Sequence, residues 1–134
     1  MARIKVMIVD DEELLLFTTA KLLEKNGFKV IQATSAIEAI GLLKRHPVEV
    51  MILDGKMPGM DGLEALKTVK QFYPFIQVII LTGHATSEAA IEGLNLGAFD
   101  YIMKPISIEE LIKKIENAYY IHQQMKEKKE FFFR

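Results

Sequence analysis

Cysteine is absent from the 134 residues, which excludes disulfides and thiol chemistry and agrees with a reducing cytoplasm. Neither charge dominates. Against 18 acidic side chains stand 17 basic ones, and a formal net charge of -1 gives no broad positive field. Sequence-independent binding to nucleic acid or to an anionic membrane is therefore not expected of this chain. Long hydrophobic runs are also missing, since stretches such as Val78 to Leu81 fall far short of the roughly 18 residues that cross a bilayer. The opening Met1-Ala2-Arg3-Ile4-Lys5 does not read as a signal peptide. What is present, 50% hydrophobic and 26% charged residues, is the composition of one globular domain. A chain of this length buries about two thirds of its unfolded surface, enough for a core without covalent staples.

Short apolar runs rich in Val and Ile recur at Val6 to Val9, Phe28 to Ala33, Val48 to Leu53, Val78 to Leu81 and Phe99 to Met103, and read as strands. Between them apolar residues fall at helical spacing, as in Leu15, Ala20, Leu22 and Leu23, or Leu63, Leu66 and Val69. The expected helices cover 12–26, 35–45, 62–73, 85–96 and 106 to about 126. Ser35 with Glu38, Asp61 with Glu64, and Ser107 with Glu110 each fit a capping residue followed three positions later by Glu. Gly27 and Gly97 stand where a helix must end in a left-handed residue. Five strands alternating with helices imply a (βα)5 parallel sheet covered on both faces, of the flavodoxin-like, doubly wound class, with an extended C-terminal helix. The first, third and fourth runs are nearly all apolar, whereas the second carries Lys29 and Gln32 and the fifth carries Asp100. Those two are expected at the edges, which gives the strand order 2-1-3-4-5.

Ligands in such sheets bind beyond the C-terminal ends of the strands, so the residues that end the apolar runs are the ones to inspect. The first run ends in Asp10-Asp11, the third in Asp54, the fourth in Thr82 and the fifth in Lys104-Pro105. Carboxylates about 4 Å apart repel by roughly 4 kcal/mol at an effective dielectric of about 20, so a cluster of three must protonate or bind a cation. An all-oxygen set with few carboxylates suits Mg²⁺. With a lysine and a hydroxyl beside it, such a site is a receptacle for a phosphoryl group, and one carboxylate is the candidate nucleophile.

Asp10-Asp11, Asp54-Gly-Lys-Met-Pro-Gly-Met-Asp-Gly62, Thr82-Gly83 and Tyr101-Ile-Met-Lys104-Pro105 occur in this order. Together the sequence resembles the receiver domain of two-component response regulators, the CheY-like group, over residues 3 to 122. The resemblance implies that Asp54 is the phosphoacceptor for a phosphohistidine of a sensor histidine kinase or phosphotransfer protein. It further implies that Asp10, Asp11, Asp54 and the backbone carbonyl of Lys56 hold Mg²⁺. Thr82 is then the switch hydroxyl, Lys104 the partner of the phosphoryl group, and Tyr101 the aromatic that moves inward with Thr82, while Lys104-Pro105 is a cis bond. The output is a changed surface on the fourth helix, fifth strand and fifth helix that selects a partner or output domain, with no enzymatic role beyond Mg-dependent self-phosphorylation and autodephosphorylation.

Competing readings fit less of the chain. A haloacid-dehalogenase-type phosphatase needs a second acid two residues after its nucleophile, where Lys56 stands. A flavodoxin-like cofactor site needs a phosphate-binding loop, and Asp10-Asp11-Glu12-Glu13 repels phosphate. A receiver-like module that never takes phosphate would lack one of the acidic, Thr or Lys positions. At single positions, Asp11 or Thr82 fits a helix N-cap, Lys104 a solvated side chain and Tyr101 an edge-strand packing residue. Asp61-Gly62 and Met57-Pro58 shape a loop, and His84 and Lys56 lie at the rim. The receiver is expected over 1–122, with 123–134 a helical tail or the start of a linker. Helical spacing continues through Leu111, Ile115, Ala118, His122 and Met125, a partial seam that allows a homodimer through this helix or through the switch surface. Phe131 to Phe133 need a partner if they meet water.

Overall fold

The computed structural model describes residues 3–132. Strands β1 (Lys5–Val9), β2 (Lys29–Ala33), β3 (Val50–Leu53), β4 (Gln77–Thr82) and β5 (Asp100–Met103) alternate with helices α1 (Glu13–Lys25), α2 (Ala36–Leu43), α3 (Gly62–Phe72), α4 (Ser87–Asn95) and α5 (Ile108–Phe132). The strands pair in parallel in the order β2-β1-β3-β4-β5, the flavodoxin-like doubly wound arrangement expected from the sequence. Burial explains the order. Every residue of β3 and β4 is buried, whereas β2 and β5 leave Lys29, Gln32 and Met103 exposed.

Because side chains alternate across a strand, each central strand feeds two cores. Met7, Val9, Met51, Leu53, Val78 and Ile80 meet Ala39, Leu43, Leu66 and Val69 of α2 and α3. Val6, Ile8, Val50, Ile52, Ile79 and Leu81 meet Leu16, Leu23, Leu111 and Ile115 of α1 and α5. Burying each of the Val, Leu, Ile and Met side chains among them contributes about 1.5–3 kcal/mol. Helix α4 is held less firmly, burying only Gly93 and exposing Ile91 and Leu94.

The expected caps form. Ser35 Oγ, Asp61 Oδ1 and Ser107 Oγ accept from the backbone N–H of Glu38, Glu64 and Glu110, and Gly27 and Gly97 take φ of 91° and 102° past their helices. Most boundaries shift from expectation by one or two residues, α2 ending at Leu43 and α5 starting at Ile108, and two shifts have a visible cause. α4 starts at Ser87 because Thr86, not Thr82 or Ala85, supplies its cap, accepting from Ala89 N–H at 3.1 Å. α5 runs to Phe132 because residues 123–130 are Gln, Met, Lys and Glu, good helix formers without a Gly or Pro stop. Its extension touches the opposite end of the sheet: His122 Nδ1 lies 2.7 Å from the Phe75 carbonyl oxygen, and Gln77 Nε2 lies 3.3 Å from Met125 Sδ. Beyond Met125 the helix is exposed, Phe131 and Phe132 included; Phe133 lies outside the described residues.

The loop from β3 to α3 closes on two glycines, Gly62 N–H donating to the Gly55 carbonyl at 3.2 Å. A Cβ on Gly62 would lie 2.6 Å from Gly55 Cα, so the backbones touch where α3 begins. Alanine favours a helix by up to about 1 kcal/mol over glycine, yet here overpacking outweighs propensity. Gly62→Ala is expected to destabilise the domain by about 1–3 kcal/mol, read as a lower midpoint in urea; a raised midpoint would contradict the contact.

Candidate functional site

The sheet places the site by ladder register. Val9 pairs with Ala33 and with Leu53, Leu53 with Ile80, and Thr82 with Met103, so the strands end nearly in step. The ladder then runs one residue further: Asp10 N–H donates to Ala33 O, Asp54 N–H to Val9 O, and Lys104 N–H to Thr82 O. Backbone bonds thus fix the three charged residues, and their side chains meet above the switch point between β1 and β3.

Asp10, Asp11 and Asp54 bring carboxylate oxygens within 4.8 Å of one another. Asp10 and Asp54 are buried and Asp11 is exposed. Lys104 Nζ lies 2.9 Å from Asp10 Oδ2 and 3.9 Å from Asp54 Oδ2, bridging the two buried acids. Asp10 Oδ1 also accepts from Glu12 N–H, and Asp54 Oδ1 from Lys56 N–H at 3.1 Å. No side chain caps α1, so Asp11 stands by the cluster and not as a helix cap. One lysine against three acids leaves negative charge in excess, and an all-oxygen donor set of this size fits a hard divalent ion.

Burial pushes the Asp54 carboxyl above its ordinary range; Asp10 and Asp11 add to this, while the Lys56 N–H and Lys104 oppose it. For Lys104, burial works against the charge, but the hydrogen bond and charge of Asp10, with Asp54 and Glu12 behind, prevail and raise its pKa. Lys104 is thereby kept cationic, and Glu12 joins the field around it, a role the sequence did not suggest.

Thr82 is buried, and its Oγ1 accepts from His84 N–H at 3.2 Å. Tyr101 pairs in register with Ile80, two residues before Thr82, which puts Tyr101 and Thr82 on one sheet face. Its half-buried ring packs on Gly93 of α4, and burial raises its hydroxyl pKa. The Lys104-Pro105 bond is cis, as the resemblance implied. Lys56 and His84 are exposed at the rim, Asp61 caps α3 and stays out of the cluster, and Met57 is buried under its loop. Besides Glu12, sequence reasoning missed Gly55, whose only signal was a glycine following the loop aspartate, and it gave Gly62 a place in the loop but not its contact with Gly55.

The raised Asp54 pKa has a definite sign. The folded state holds the Asp54 proton more tightly than the unfolded chain does, so stability falls as pH rises from the ordinary carboxylate value through the folded one. In buffer with chelator, Asp54→Asn is expected to be more stable than wild type at pH 7, with the gain fading as the pH falls from the raised folded value to the ordinary carboxylate value and absent below it. Denaturation midpoints measured across pH check this, and a variant no more stable at pH 7 would contradict it.

Comparison with known proteins agrees with this geometry. The sequence model of the response regulator receiver domain matches residues 6–116. A response regulator NtrX-like protein of Rickettsia bellii (strain RML369-C) is 39% identical over 120 residues, 88% of this chain and 25% of that protein. The chain thus spans about a quarter of the length of the curated relatives it matches. A response regulator receiver domain from Clostridium thermocellum superposes with a TM-score of 0.86 at 34% identity, over 91% of this chain and 98% of that one. The beryllofluoride-activated NtrC4 receiver domain dimer superposes with a TM-score of 0.83 at 30% identity, over 88% and 98% of the two chains. With the acidic cluster, Thr82 and Lys104 gathered at the C-terminal edge of a 2-1-3-4-5 sheet, this chain belongs to the response regulator receiver domain family, a signalling family of two-component systems.

Proposed function

We propose that Asp54 accepts a phosphoryl group from a phosphohistidine of a sensor histidine kinase or phosphotransfer protein. In that transfer the P–N bond of the donor breaks as a P–O bond to an Asp54 carboxylate oxygen forms, and the imidazole leaves. The observation that carries the reading is the single lysine spanning Asp10 and Asp54 amid three clustered carboxylates. Asp10, Asp11 and Asp54, with the Lys56 backbone carbonyl, are the residues that would hold Mg²⁺. Bound there, Mg²⁺ would offset the charge of the incoming phosphoryl oxygens.

This chain's own residues do the rest. The ladder bonds of Asp54 orient its carboxylate, and the Lys56 N–H holds one oxygen in place. Phosphorylation adds about -1.5 to -2 charges, which draws Lys104 Nζ from Asp10 toward the phosphoryl oxygens. The Thr82 hydroxyl exchanges the His84 N–H for a phosphoryl oxygen, and Tyr101 moves into the space it leaves. The lightly packed α4, with β5 and α5, then changes population between two arrangements. The coupling expected of such a switch is about 1–3 kcal/mol.

The output is partner choice, for an output domain or a separate protein, in the cytoplasm, without direct binding of nucleic acid by this chain. Among the described residues no helix is long and apolar enough to cross a membrane. An apolar cleft of about 370 Å³ lined by Leu15, Leu22, Ile106 and Ile108 opens onto Asp10, Asp54 and Lys104, which suits a phosphodonor that covers the site. Exposed Ile91, Leu94, Met103 and Tyr120 suit a homodimer through α4-β5-α5; on α5 the expected seam of Leu111, Ile115, Ala118, His122 and Met125 packs on this chain's own sheet, which leaves exposed Phe131 and Phe132 for a dimer through the extension.

Intact mass after incubation with acetyl phosphate tests the chemistry. One phosphoryl adduct that requires Mg²⁺ is expected on the wild-type chain and none on Asp54→Asn. An adduct of equal yield on Asp54→Asn, or none on wild type despite measured Mg²⁺ binding, would overturn the reading.

A further inference from the structure

We propose that Gly55 is a positioning residue for Thr82: by leaving out a side chain beside the phosphoacceptor, it lets the Thr82 hydroxyl change rotamer. The proposal rests on the phosphoswitch reading above. Gly55 has no positive φ, unlike Gly27, Gly59 and Gly97, so its backbone conformation does not call for glycine. Its surroundings do. A Cβ at this position would lie 3.1 Å from Thr82 Cβ, 3.3 Å from Thr82 Oγ1 and 3.2 Å from Ile80 Cγ2. Carbon atoms pack best at about 3.5–4.0 Å, so each of these contacts is compressed.

Residue 55 cannot retreat. On its other side Gly62 N–H binds the Gly55 carbonyl, and the two backbones already approach so closely that a Cβ on Gly62 would sit 2.6 Å from Gly55 Cα. Position 55 is thus clamped between the start of α3 and the Thr82 side chain. Ile80 is fully buried within β4 and has little freedom to yield. The group left to give way is Thr82. Its side chain ends β4, and its hydroxyl is held by one hydrogen bond, from His84 N–H. Threonine has a branched Cβ, so turning χ1 to present the hydroxyl elsewhere sweeps a methyl or hydroxyl through all three staggered positions. An alanine at 55 would press on Thr82 Cβ in every rotamer and on whichever group χ1 brings to the place Oγ1 now holds, and it is this second contact that restricts the rotation. The neighbouring Gly83 is a natural control, since a Cβ there meets nothing within 4 Å.

The test uses the full chain with ¹³C-labelled threonine methyls, in which three-bond couplings report the Thr82 χ1 distribution, and Thr82→Ser identifies the signal. Wild type, Gly55→Ala and Gly83→Ala are compared in Mg²⁺ before and after acetyl phosphate, with intact mass in parallel so that the response is read per phosphorylated chain. In wild type and Gly83→Ala the Thr82 couplings are expected to change on phosphorylation. In Gly55→Ala they are expected to be displaced beforehand and to lose that change. Wild-type couplings in Gly55→Ala, before and after, would overturn the proposal. If wild type takes no phosphoryl group, the phosphoswitch reading fails, and the couplings without phosphodonor still decide whether residue 55 sets the Thr82 rotamer. If Gly55→Ala does not fold, adding Thr82→Gly is expected to restore folding by removing the compressed side chain; failure to restore it would overturn the proposal.

Discussion

Negative charge gathered at one end of a parallel sheet is the constraint on which the rest of the structure depends. Three carboxylates with oxygens inside 4.8 Å are held there against one lysine. Asp10 and Asp54 cannot drift away, because they continue the strand ladders by backbone hydrogen bonds, and Lys104 does the same from β5. The cores above and below the sheet hold those ladders in register. Apolar burial thereby maintains a repulsive cluster that would disperse in a flexible chain. The raised pKa of Asp54 registers chiefly its burial, to which the neighbouring carboxylates add, and the raised pKa of Lys104 registers the attraction of Asp10 and Asp54.

Firmness is distributed unevenly around this cluster. β3 and β4, which deliver Asp54 and Thr82, are buried throughout, whereas α4 buries one glycine and β5 stands at an edge. Elements with few buried contacts open most easily, so a charge change at Asp54 has a soft side along which to propagate. Tyr101 links the two regimes, sharing a sheet face with Thr82 and resting its ring on Gly93 of α4. The two residues expected to move, Thr82 and Tyr101, are each seated on a glycine. At the other end of the sheet, the α5 extension is tied to Phe75 and Gln77, which keeps the helix on the domain as far as Met125.

The sheet order was legible because its cause is written in composition: Lys29, Gln32 and Asp100 fall within the apolar runs of the edge strands, whereas the runs Val6 to Val9, Val50 to Leu53 and Val78 to Leu81 of the central strands are unbroken. The charged site was legible for a related reason, since a polar residue directly after an apolar run sits at the strand end. The α4 boundary was not, because Thr82 and Thr86 both fit a cap and only the folded turn between them separates their roles. The extended C-terminal helix was legible because neither Gly nor Pro marks a stop, although 106 to about 126 set its end too early, and pattern alone could not show Met125 reaching Gln77. Least visible was the contact of Gly55 with Gly62 and Thr82. It is a fact of interatomic distance between loop, helix and strand, and spacing in the sequence carries no trace of it.

The most direct test of the account is the unfolding free energy as a function of Mg²⁺ concentration, for wild type and for Asp10→Asn with Asp54→Asn. If the cluster is a cation site held open by the fold, Mg²⁺ stabilises the wild-type chain by about 2.7 kcal/mol at a hundredfold excess over its dissociation constant, and the double variant loses that gain. Unfolding midpoints that ignore Mg²⁺ in wild type, or rise equally in the double variant, would contradict it.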